Sequence, residues 1–205
     1  MKQAPTPRRA PTSRRATAGR KPGPPQEVRI VGGTLKRSKL PVVDKPGLRP
    51  TPDRVRETLY NWLGRDLPGW RVLDAFAGSG ALGFEAASRG AAEVVLLERD
   101  TGLARSLRES AERLKASAVS VEAADALAWM ARCEPARFDL VLLDPPFDSG
   151  LAAPALLAAT RVAAPGGFVY VEAPQALTDA PPGFELHRAG RAGSVHFHLL
   201  HRLPG

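Results

Sequence analysis

The segment Asp144-Pro145-Pro146-Phe147 follows directly on the apolar run FDLVLL. Its prolines restrict the backbone, so they fix the direction of the Asp144 carboxylate and of the Pro145 carbonyl. Both groups accept hydrogen bonds, whereas the exocyclic amine of a nucleobase offers two N–H donors. The segment therefore predicts a site that aims such an amine at an electrophilic carbon while Phe147 stacks on the base. A plain strand followed by a proline-rich turn is the alternative interpretation.

A second motif, Asp74-Ala75-Phe76-Ala77-Gly78-Ser79-Gly80, lies between an apolar run and a helical pattern. Its glycines allow the backbone to turn tightly and to approach a ligand closely, which predicts a cofactor loop. Residues 78–83 also satisfy the G-x-G-x-x-G pattern, and Glu98 ends the next strand 20 residues after Gly78. The spacing alone leaves a dinucleotide and S-adenosylmethionine both open.

Two aspartates favour S-adenosylmethionine. Asp74 lies ahead of the glycines, where a carboxylate would attract the ammonium of a methionine moiety and repel a pyrophosphate. Asp125, just after the third strand, is placed to accept a hydrogen bond from an adenine amino group. Glu98 would accept from ribose hydroxyls with either cofactor and is neutral between them. The alternative interpretation is that Asp74 and Asp125 only cap helices.

These motifs need a scaffold, and beyond Trp70 short apolar strands alternate with longer helices. That alternation is typical of a parallel sheet covered on both faces. The predicted strands are 71–76, 93–98, 119–122, 138–144 and 166–172, and the predicted helices are 80–89, 101–115, 125–132 and 151–161. Two last runs, 184–190 and 194–200, predict an antiparallel hairpin that closes the sheet. The fold class is thus α/β, with a mostly parallel seven-stranded Rossmann-like sheet in residues 67–205.

Ahead of this body, residues 27–66 predict a small N-terminal extension. Residues 28–43 form two short strands that turn at Gly32-Gly33, and a basic loop follows. A helix then begins at Thr51-Pro52-Asp53 and ends by Gly64, because proline at a first helical position loses no hydrogen bond and the aspartate suits the helix dipole.

The excess of basic residues behind the net charge of +8 lies in the first quarter of the chain. Residues 1–26 hold seven basic side chains and no acidic ones, whereas residues 57–205 hold 14 basic against 18 acidic. Residues 1–26 also hold six prolines and no apolar periodicity, so we expect a disordered tail. The prolines argue against the amphipathic helix of an organelle transit peptide. The positive charge predicts attraction to a phosphate backbone.

The glycine loop combined with Asp-Pro-Pro-Phe resembles the amino-methyltransferase superfamily. Four N-terminal blocks narrow the resemblance: residues 29–33 (RIVGG), 36–40 (KRSKL), 49–57 (RPTPDRVRE) and 61–63 (NWL). With them the chain is similar, from about residue 28 to about residue 200, to the bacterial ribosomal RNA small subunit methyltransferase D family. That family usually has a second threonine where this chain has Pro52, which we expect only to stiffen the helix start.

The resemblance implies S-adenosylmethionine-dependent methylation of a guanine N2 in 16S ribosomal RNA, on free RNA or on the assembling small subunit, in the fold of class I methyltransferases. It makes residues 144 to 147 the catalytic segment. The implied cofactor-binding residues are Asp74, Ala75, Phe76, Gly78, Ser79, Gly80, Glu98, Arg99, Asp125 and Ala126, and S-adenosylhomocysteine is the implied product. The implied RNA-binding residues are Arg29, Lys36, Arg37, Lys39, Arg49, Thr51, Arg54 and Arg56.

Composition excludes several classes of protein. No apolar run approaches the roughly 18 residues that span a bilayer, so we expect no membrane association. The single cysteine, Cys133, cannot form an internal disulfide and has no cluster of cysteine or histidine beside it, which predicts a reducing cytoplasm and no metal. We expect a monomer.

Other functions stay open. An adenine-N6 or DNA methyltransferase shares the Asp-Pro-Pro-Phe chemistry and differs in the target pocket. A nicotinamide-dependent oxidoreductase and a catalytically silent RNA-binding module are hypotheses from different classes.

Removal of residues 1–26 should leave the methyl-transfer chemistry intact, because every candidate site residue lies beyond this tail. Loss of its seven basic side chains should at most weaken RNA affinity in a salt-dependent way. Filter binding at several salt concentrations measures this, and loss of cofactor binding in the truncated protein would contradict it.

Overall fold

The computed structural model describes residues 26–43 and 51–204. The strands are β1 (Gln26–Arg29), β2 (Lys39–Val42), β3 (Arg71–Asp74), β4 (Glu93–Leu97), β5 (Val119–Glu122), β6 (Phe138–Leu143), β7 (Ala163–Ala173), β8 (Phe184–Ala192) and β9 (Val195–Arg202). The helices are α1 (Asp53–Trp62), α2 (Ala81–Ser88), α3 (Thr101–Leu114), α4 (Ala126–Arg132) and α5 (Ala152–Val162), with a short 3-10 helix at Phe147–Ser149. Within these residues no helix is long and apolar enough to cross a bilayer.

Seven strands form one sheet in the order β5-β4-β3-β6-β7-β9-β8. The first five of these pair in parallel, and β9 and β8 add an antiparallel hairpin at one edge. This is the Rossmann-like arrangement that the alternation of strands and helices predicts, and that prediction is confirmed.

Each central strand is buried on both faces. Along β6, Leu140 and Leu142 belong to one core cluster, while Val141 and Leu143 belong to a second cluster. Because successive side chains of a strand point to opposite faces, the two clusters are the two sides of the sheet. The continuous apolar sequence of the strand follows from this double burial.

The strand order reverses between β3 and β6. Asp74 pairs with Leu142 in the parallel register of these two strands. At such a switch point the connections leave toward opposite sides, and a crevice opens beyond the carboxyl ends of the strands. Asp74 and Asp144 therefore end adjacent strands at the edge where a ligand would bind.

The N-terminal hairpin differs from its prediction. β1 and β2 pair antiparallel, with Arg29 opposite Lys39, but residues 30–38 connect them in place of a tight turn at Gly32-Gly33. The Thr34 N–H donates to the Ser88 carbonyl at 2.7 Å. A Cβ on Gly33, whose φ is +72°, would lie 1.8 Å from that carbonyl oxygen. The glycines thus allow the connecting loop to pack on the end of α2. Rules that predict turns from neighbouring residues do not include such a long-range contact.

The start of β7 is also earlier than predicted. The strand begins at Ala163, directly after α5, and not at Gly166. Its pairing with β6 shifts register between Phe138 and Leu140. Proline has no N–H to donate to a neighbouring strand. The irregular pairing accommodates Pro165 near the start of β7.

Arg56 was predicted to bind RNA, but its side chain is fully buried in this structure. Its guanidinium donates to Glu85 Oε2 at 3.2 Å and to the Arg29 carbonyl at 2.7 Å. It also donates to Asp53 Oδ1 at 2.5 Å and to the Thr51 carbonyl at 3.3 Å. Through these four hydrogen bonds the arginine fastens the extension to α2.

Substitution Arg56→Ala should lower the free energy of unfolding by about 3 kcal/mol, because it removes one partner from a buried ion pair. Arg54, on the same helix, is exposed and is the matched control. Its replacement by alanine should cost less than about 0.5 kcal/mol. Urea denaturation of the two variants measures the difference, and equal losses would refute the structural role of Arg56.

Candidate active site

A cavity of about 770 Å³ lies beyond the carboxyl ends of β3, β4 and β6. This size falls in the range of roughly 300–1,000 Å³ typical of small-molecule sites. The structure brings both predicted motifs to its wall. The predicted residues that line it are Asp74, Ala75, Phe76, Gly78, Ser79, Glu98, Arg99, Asp125, Ala126, Asp144, Pro145, Pro146 and Phe147. Gly80 lies in the same loop, just behind the wall.

Gly80 precedes α2 with a φ of +78°. A Cβ at this position would lie 2.7 Å from carbon atoms of both Leu107 and Phe84. Only glycine combines this backbone conformation with such close packing, so Gly80 sets the path by which the loop leaves β3 and enters α2.

Glu98, which directly follows β4, holds the glycine loop in place. Its Oε2 accepts a hydrogen bond from the Gly78 N–H at 3.0 Å, and its Oε1 accepts one from the Asp100 N–H at 2.8 Å. A carboxylate oxygen has two acceptor positions, so each keeps one for a ligand. The side chain predicted to hold a ribose therefore also shapes the loop beside it.

Asp74 is the buried acid of the cavity wall, with a side chain only 1% exposed. Its Oδ2 accepts from the Gly83 N–H at 2.9 Å. Oδ1 is buried and accepts no hydrogen bond from any residue that the structure describes. Burial raises the pKa of this carboxyl to about 7, against the opposing effect of the backbone N–H groups of Gly83 and Phe76. An unsatisfied carboxylate oxygen on a cavity wall is a binding position for a cation or a hydrogen-bond donor.

Asp125 is exposed and caps α4, since its Oδ1 accepts from the Ala128 N–H at 2.9 Å. The capping interpretation thus describes one of its oxygens, while the residue still lines the cavity. Asp100 lines it as well and caps α3 through the Leu103 N–H at 2.9 Å. Sequence reasoning missed Asp100, although an acid two residues after Glu98 at a helix start was a usable signal.

Asp144 ends β6 and is partly exposed to the cavity. Its Oδ2 accepts a hydrogen bond from the Thr51 hydroxyl at 3.1 Å. Loss of hydration raises its pKa well above the ordinary value, and the charge of Glu172 raises it further, while the Thr51 hydrogen bond acts in the opposite direction.

Phe147 begins the 3-10 helix after the two prolines and is 43% exposed. The Ser149 hydroxyl donates to the Pro146 carbonyl and closes this turn. A large aromatic ring left in solvent at a cavity edge is suited to stacking on a flat ligand.

The predicted RNA-binding residues do not all share one environment. Arg29, Lys36, Arg37, Lys39 and Arg54 are exposed on the extension. Lys39 pairs with Glu27 at 2.6 Å. Thr51 is 6% exposed and lines the cavity, so the structure places it beside Asp144 and away from the outer surface. Arg49 lies outside the described residues.

Tyr170 and Glu172 on β7 are further residues that sequence reasoning missed. The Tyr170 hydroxyl donates to Glu172 Oε1 at 2.8 Å. Glu172 is 4% exposed. An acid within the apolar run GGFVYVE was a signal, but only the pairing of β6 with β7 places it next to Asp144.

Metal ligands do not gather in the described part of the chain. Among residues 26–43 and 51–204, no three side chains of histidine, cysteine, aspartate or glutamate come together in a group that could hold a metal ion.

Comparison with known proteins gives a consistent result. A family model described as "Conserved hypothetical protein 95" matches residues 28–201. The Ribosomal RNA small subunit methyltransferase D of Escherichia coli is 41% identical over 180 residues, which cover 86% of this chain and 90% of the relative. The protein of the same name from Haemophilus influenzae is 44% identical over 151 residues, covering 71% and 78%. A solved structure from Escherichia coli, yhhF, described provisionally as a methyltransferase, superposes with a TM-score of 0.79 at 36% identity and covers 88% of this chain and 100% of that one.

The Rossmann-like sheet, the glycine loop and the Asp-Pro-Pro-Phe segment on one cavity define a methyltransferase. Within that class, the chain belongs to the ribosomal RNA small subunit methyltransferase D family.

The raised pKa of Asp74 predicts how stability depends on pH. A carboxyl whose pKa is higher in the folded state binds more protons there, so the free energy of unfolding falls as pH rises from the ordinary aspartate value to about 7. Asp74→Asn removes this titration and keeps an acceptor for the Gly83 N–H. At pH 8 and without ligand, the variant should be more stable than the wild type by about 1–3 kcal/mol.

At pH 4 the difference between this variant and the wild type should nearly vanish. Urea denaturation across this pH range measures both quantities. A variant that is less stable than the wild type at pH 8 would show that the buried carboxylate is satisfied in the native protein.

Proposed function

We propose that this protein transfers a methyl group from S-adenosylmethionine to the exocyclic N2 of a guanine in 16S ribosomal RNA of the small ribosomal subunit. The observation that carries the proposal is the meeting of the glycine loop and the Asp144-Pro145-Pro146-Phe147 segment on one cavity. Relatives named as ribosomal RNA small subunit methyltransferases support the choice of ribosomal RNA as the acceptor.

The residues of the cavity fit the cofactor. The free Oδ1 of Asp74 suits the ammonium of a methionine moiety. The remaining acceptor positions of Glu98 suit ribose hydroxyls, and Asp125 lies on the wall where an adenine amine would be held. When bound, the cofactor supplies an electrophilic methyl carbon on its sulfonium group. No residue is needed to activate that carbon, so the protein contributes mainly alignment.

Asp144 and the Pro145 carbonyl are the two acceptors for the amine. The Thr51 hydroxyl occupies Oδ2 of the carboxylate, which leaves Oδ1 for one N–H of the amine. Two acceptors on a stiff turn favour a pyramidal nitrogen whose lone pair is free to attack. The carboxylate also stabilises the positive charge that develops on nitrogen. Phe147 stacks on the base, which must be turned out of any helix to reach the cavity.

The exposed basic residues of the extension support an RNA acceptor. Arg29, Lys36, Arg37 and Arg54 project from the part of the chain that contributes Thr51 to the cavity. Phosphate contacts of this kind orient a nucleic acid without reading its sequence. We place the reaction in the cytoplasm, on free RNA or on assembling small subunits, by a monomer.

The test uses small subunits and 16S ribosomal RNA from a strain that lacks the gene. Incubation with labelled S-adenosylmethionine, digestion and mass analysis of nucleosides should give N2-methylguanosine. Duplex DNA and transfer RNA serve as competing acceptors. Methyladenine as the product would assign the alternative adenine activity, and NADH binding without S-adenosylhomocysteine binding would assign an oxidoreductase.

Substitution Asp144→Ala should lower the methylation rate by roughly a hundredfold while S-adenosylhomocysteine still binds. The matched control is Asp139→Ala, because Asp139 lies on the same strand and pairs with Arg71 at 3.2 Å, away from the cavity. The control should keep the wild-type rate per folded molecule. Equal activity in the two variants would exclude Asp144 from the chemistry.

A further inference from the structure

A line of hydrogen-bonding side chains leads from the sheet interior to Asp144. Tyr170, fully buried, donates to Glu172 Oε1 at 2.8 Å. Thr51 donates to Asp144 Oδ2 at 3.1 Å, and its hydroxyl is also within hydrogen-bonding reach of Glu172. Glu172 is 4% exposed and Thr51 6%. Three of the four groups are therefore buried, and the network meets the cavity at Asp144 and Thr51.

Strand pairing places the two carboxyl groups side by side. Leu143 of β6 pairs in parallel with Val171 of β7. Asp144 is the residue after Leu143, and Glu172 is the residue after Val171. The two acids therefore lie side by side at the carboxyl ends of neighbouring strands. Asp144 is the first residue of the Asp-Pro-Pro-Phe segment, whereas Glu172 is the last residue of the run GGFVYVE and lies outside that segment.

Counting protons leaves two arrangements of the network. A hydroxyl has one proton to donate, and that of Thr51 goes to Asp144. Its contact with Glu172 is then a hydrogen bond only if Glu172 donates. The one proton of the Tyr170 hydroxyl goes to the other carboxyl oxygen of Glu172. The network is complete when Glu172 is protonated and Asp144 is ionised. It is also complete when Asp144 is protonated and Thr51 donates to Glu172, but only an ionised Asp144 stabilises the positive charge that develops on nitrogen in the proposed function.

The surrounding charges favour a single negative charge on the pair. Among residues 26–43 and 51–204, the groups that face this pair are Asp74, Thr51, Tyr170 and, behind Tyr170, the buried Tyr60. None of these is cationic, and the Arg56 guanidinium reaches only the backbone carbonyl of Thr51, at 3.3 Å. Burial raises the pKa of Glu172, against the opposing effect of the Tyr170 and Thr51 hydroxyls. Burial and the charge of Glu172 raise the pKa of Asp144. Two negative charges so close together in a buried site repel each other strongly, so the pair retains one proton.

Resting on the proposed function, we propose that Tyr170, Glu172 and Thr51 orient the Asp144 carboxylate through a directional hydrogen-bond chain, with Glu172 protonated in the working enzyme. Thr51 and Glu172 are then positioning residues, because they act on the amine only through Asp144. The chain fixes one carboxylate rotamer and directs the remaining oxygen to the ligand. A neutral Glu172 also leaves Asp144 as the single negative charge of the pair, facing the nitrogen that becomes positive.

Three variants test the chain in the full-length protein. Glu172→Gln replaces the carboxylic acid by an amide that donates to Thr51 and accepts from Tyr170, so kcat should stay within about threefold of the wild type. Thr51→Val keeps the shape and removes the hydroxyl, and kcat should fall roughly tenfold with little change in KM for S-adenosylmethionine. Thr51→Ser should restore the rate. An inactive Glu172→Gln would overturn the proposal, because it would show that an ionised Glu172 is required.

The pH profile of kcat at saturating substrates separates positioning from a merely structural role. In the wild type, the rate should fall at high pH as Glu172 ionises, since the chain then loses its donor. Glu172→Gln should remove or displace this alkaline limb and keep the acid limb, on which Asp144 becomes protonated. Identical profiles for the wild type and Glu172→Gln would contradict the assignment of the proton to Glu172.

A measurement without RNA distinguishes failure of this inference from failure of the proposed function. Protein labelled with carbon-13 at the glutamate carboxyls is titrated by NMR, and the Glu172 signal is identified by its loss in Glu172→Gln. The signal should report a protonated carboxyl at neutral pH. An ionised Glu172 would overturn the inference whatever the enzyme methylates. A protonated Glu172 in a protein that methylates no guanine would instead refute the proposed function.

Discussion

The buried carboxylate of Glu85 is the interaction on which the placement of the extension depends. It accepts hydrogen bonds from the Val31 N–H at 2.8 Å, from Arg56 at 3.2 Å and from Arg89 at 2.9 Å. A fully buried acid is tolerated only where cations and N–H groups replace its hydration, so β1, α1 and α2 must meet at this point. Arg56 in turn holds the Thr51 carbonyl, and the Thr51 side chain reaches Asp144. The geometry at the cavity thus depends on an ion pair outside it.

The acids around the glycine loop have structural tasks as well as free acceptor positions. Asp74 holds the first turn of α2 through Gly83, and Glu98 holds Gly78. Asp125 holds the first turn of α4. Helix capping and ligand binding are therefore compatible interpretations of one residue, since a carboxylate has more lone pairs than a single N–H can use. The same hydrogen bonds aim the remaining oxygens, because they restrict the rotamer of each side chain.

Much of this architecture follows from rules that act over short stretches of sequence. Apolar runs predict the strands, and the rule that ligands bind at strand ends is enough to select Asp74, Glu98 and Asp144. The burial of Arg56 was not predicted, because its partner Glu85 lies 29 residues further along the chain. A buried arginine has the same sequence signature as an RNA-binding one when it stands among other basic residues. The contact of Thr51 with Asp144 and the place of Glu172 were not predicted, because both depend on which strands are neighbours and on the docking of the extension.

The lone oxygen of Asp74 has a consequence for the thermodynamics of ligand entry. With a pKa of about 7, the carboxyl carries a proton in a sizeable fraction of ligand-free molecules in neutral solution. A positively charged ligand group that settles beside it favours the ionised form and expels that proton into the solvent. The heat released on binding then includes the heat of protonating the buffer. Calorimetric enthalpies of such a ligand should therefore differ between phosphate and Tris at the same pH, and the slope of that dependence gives the net number of protons released on binding.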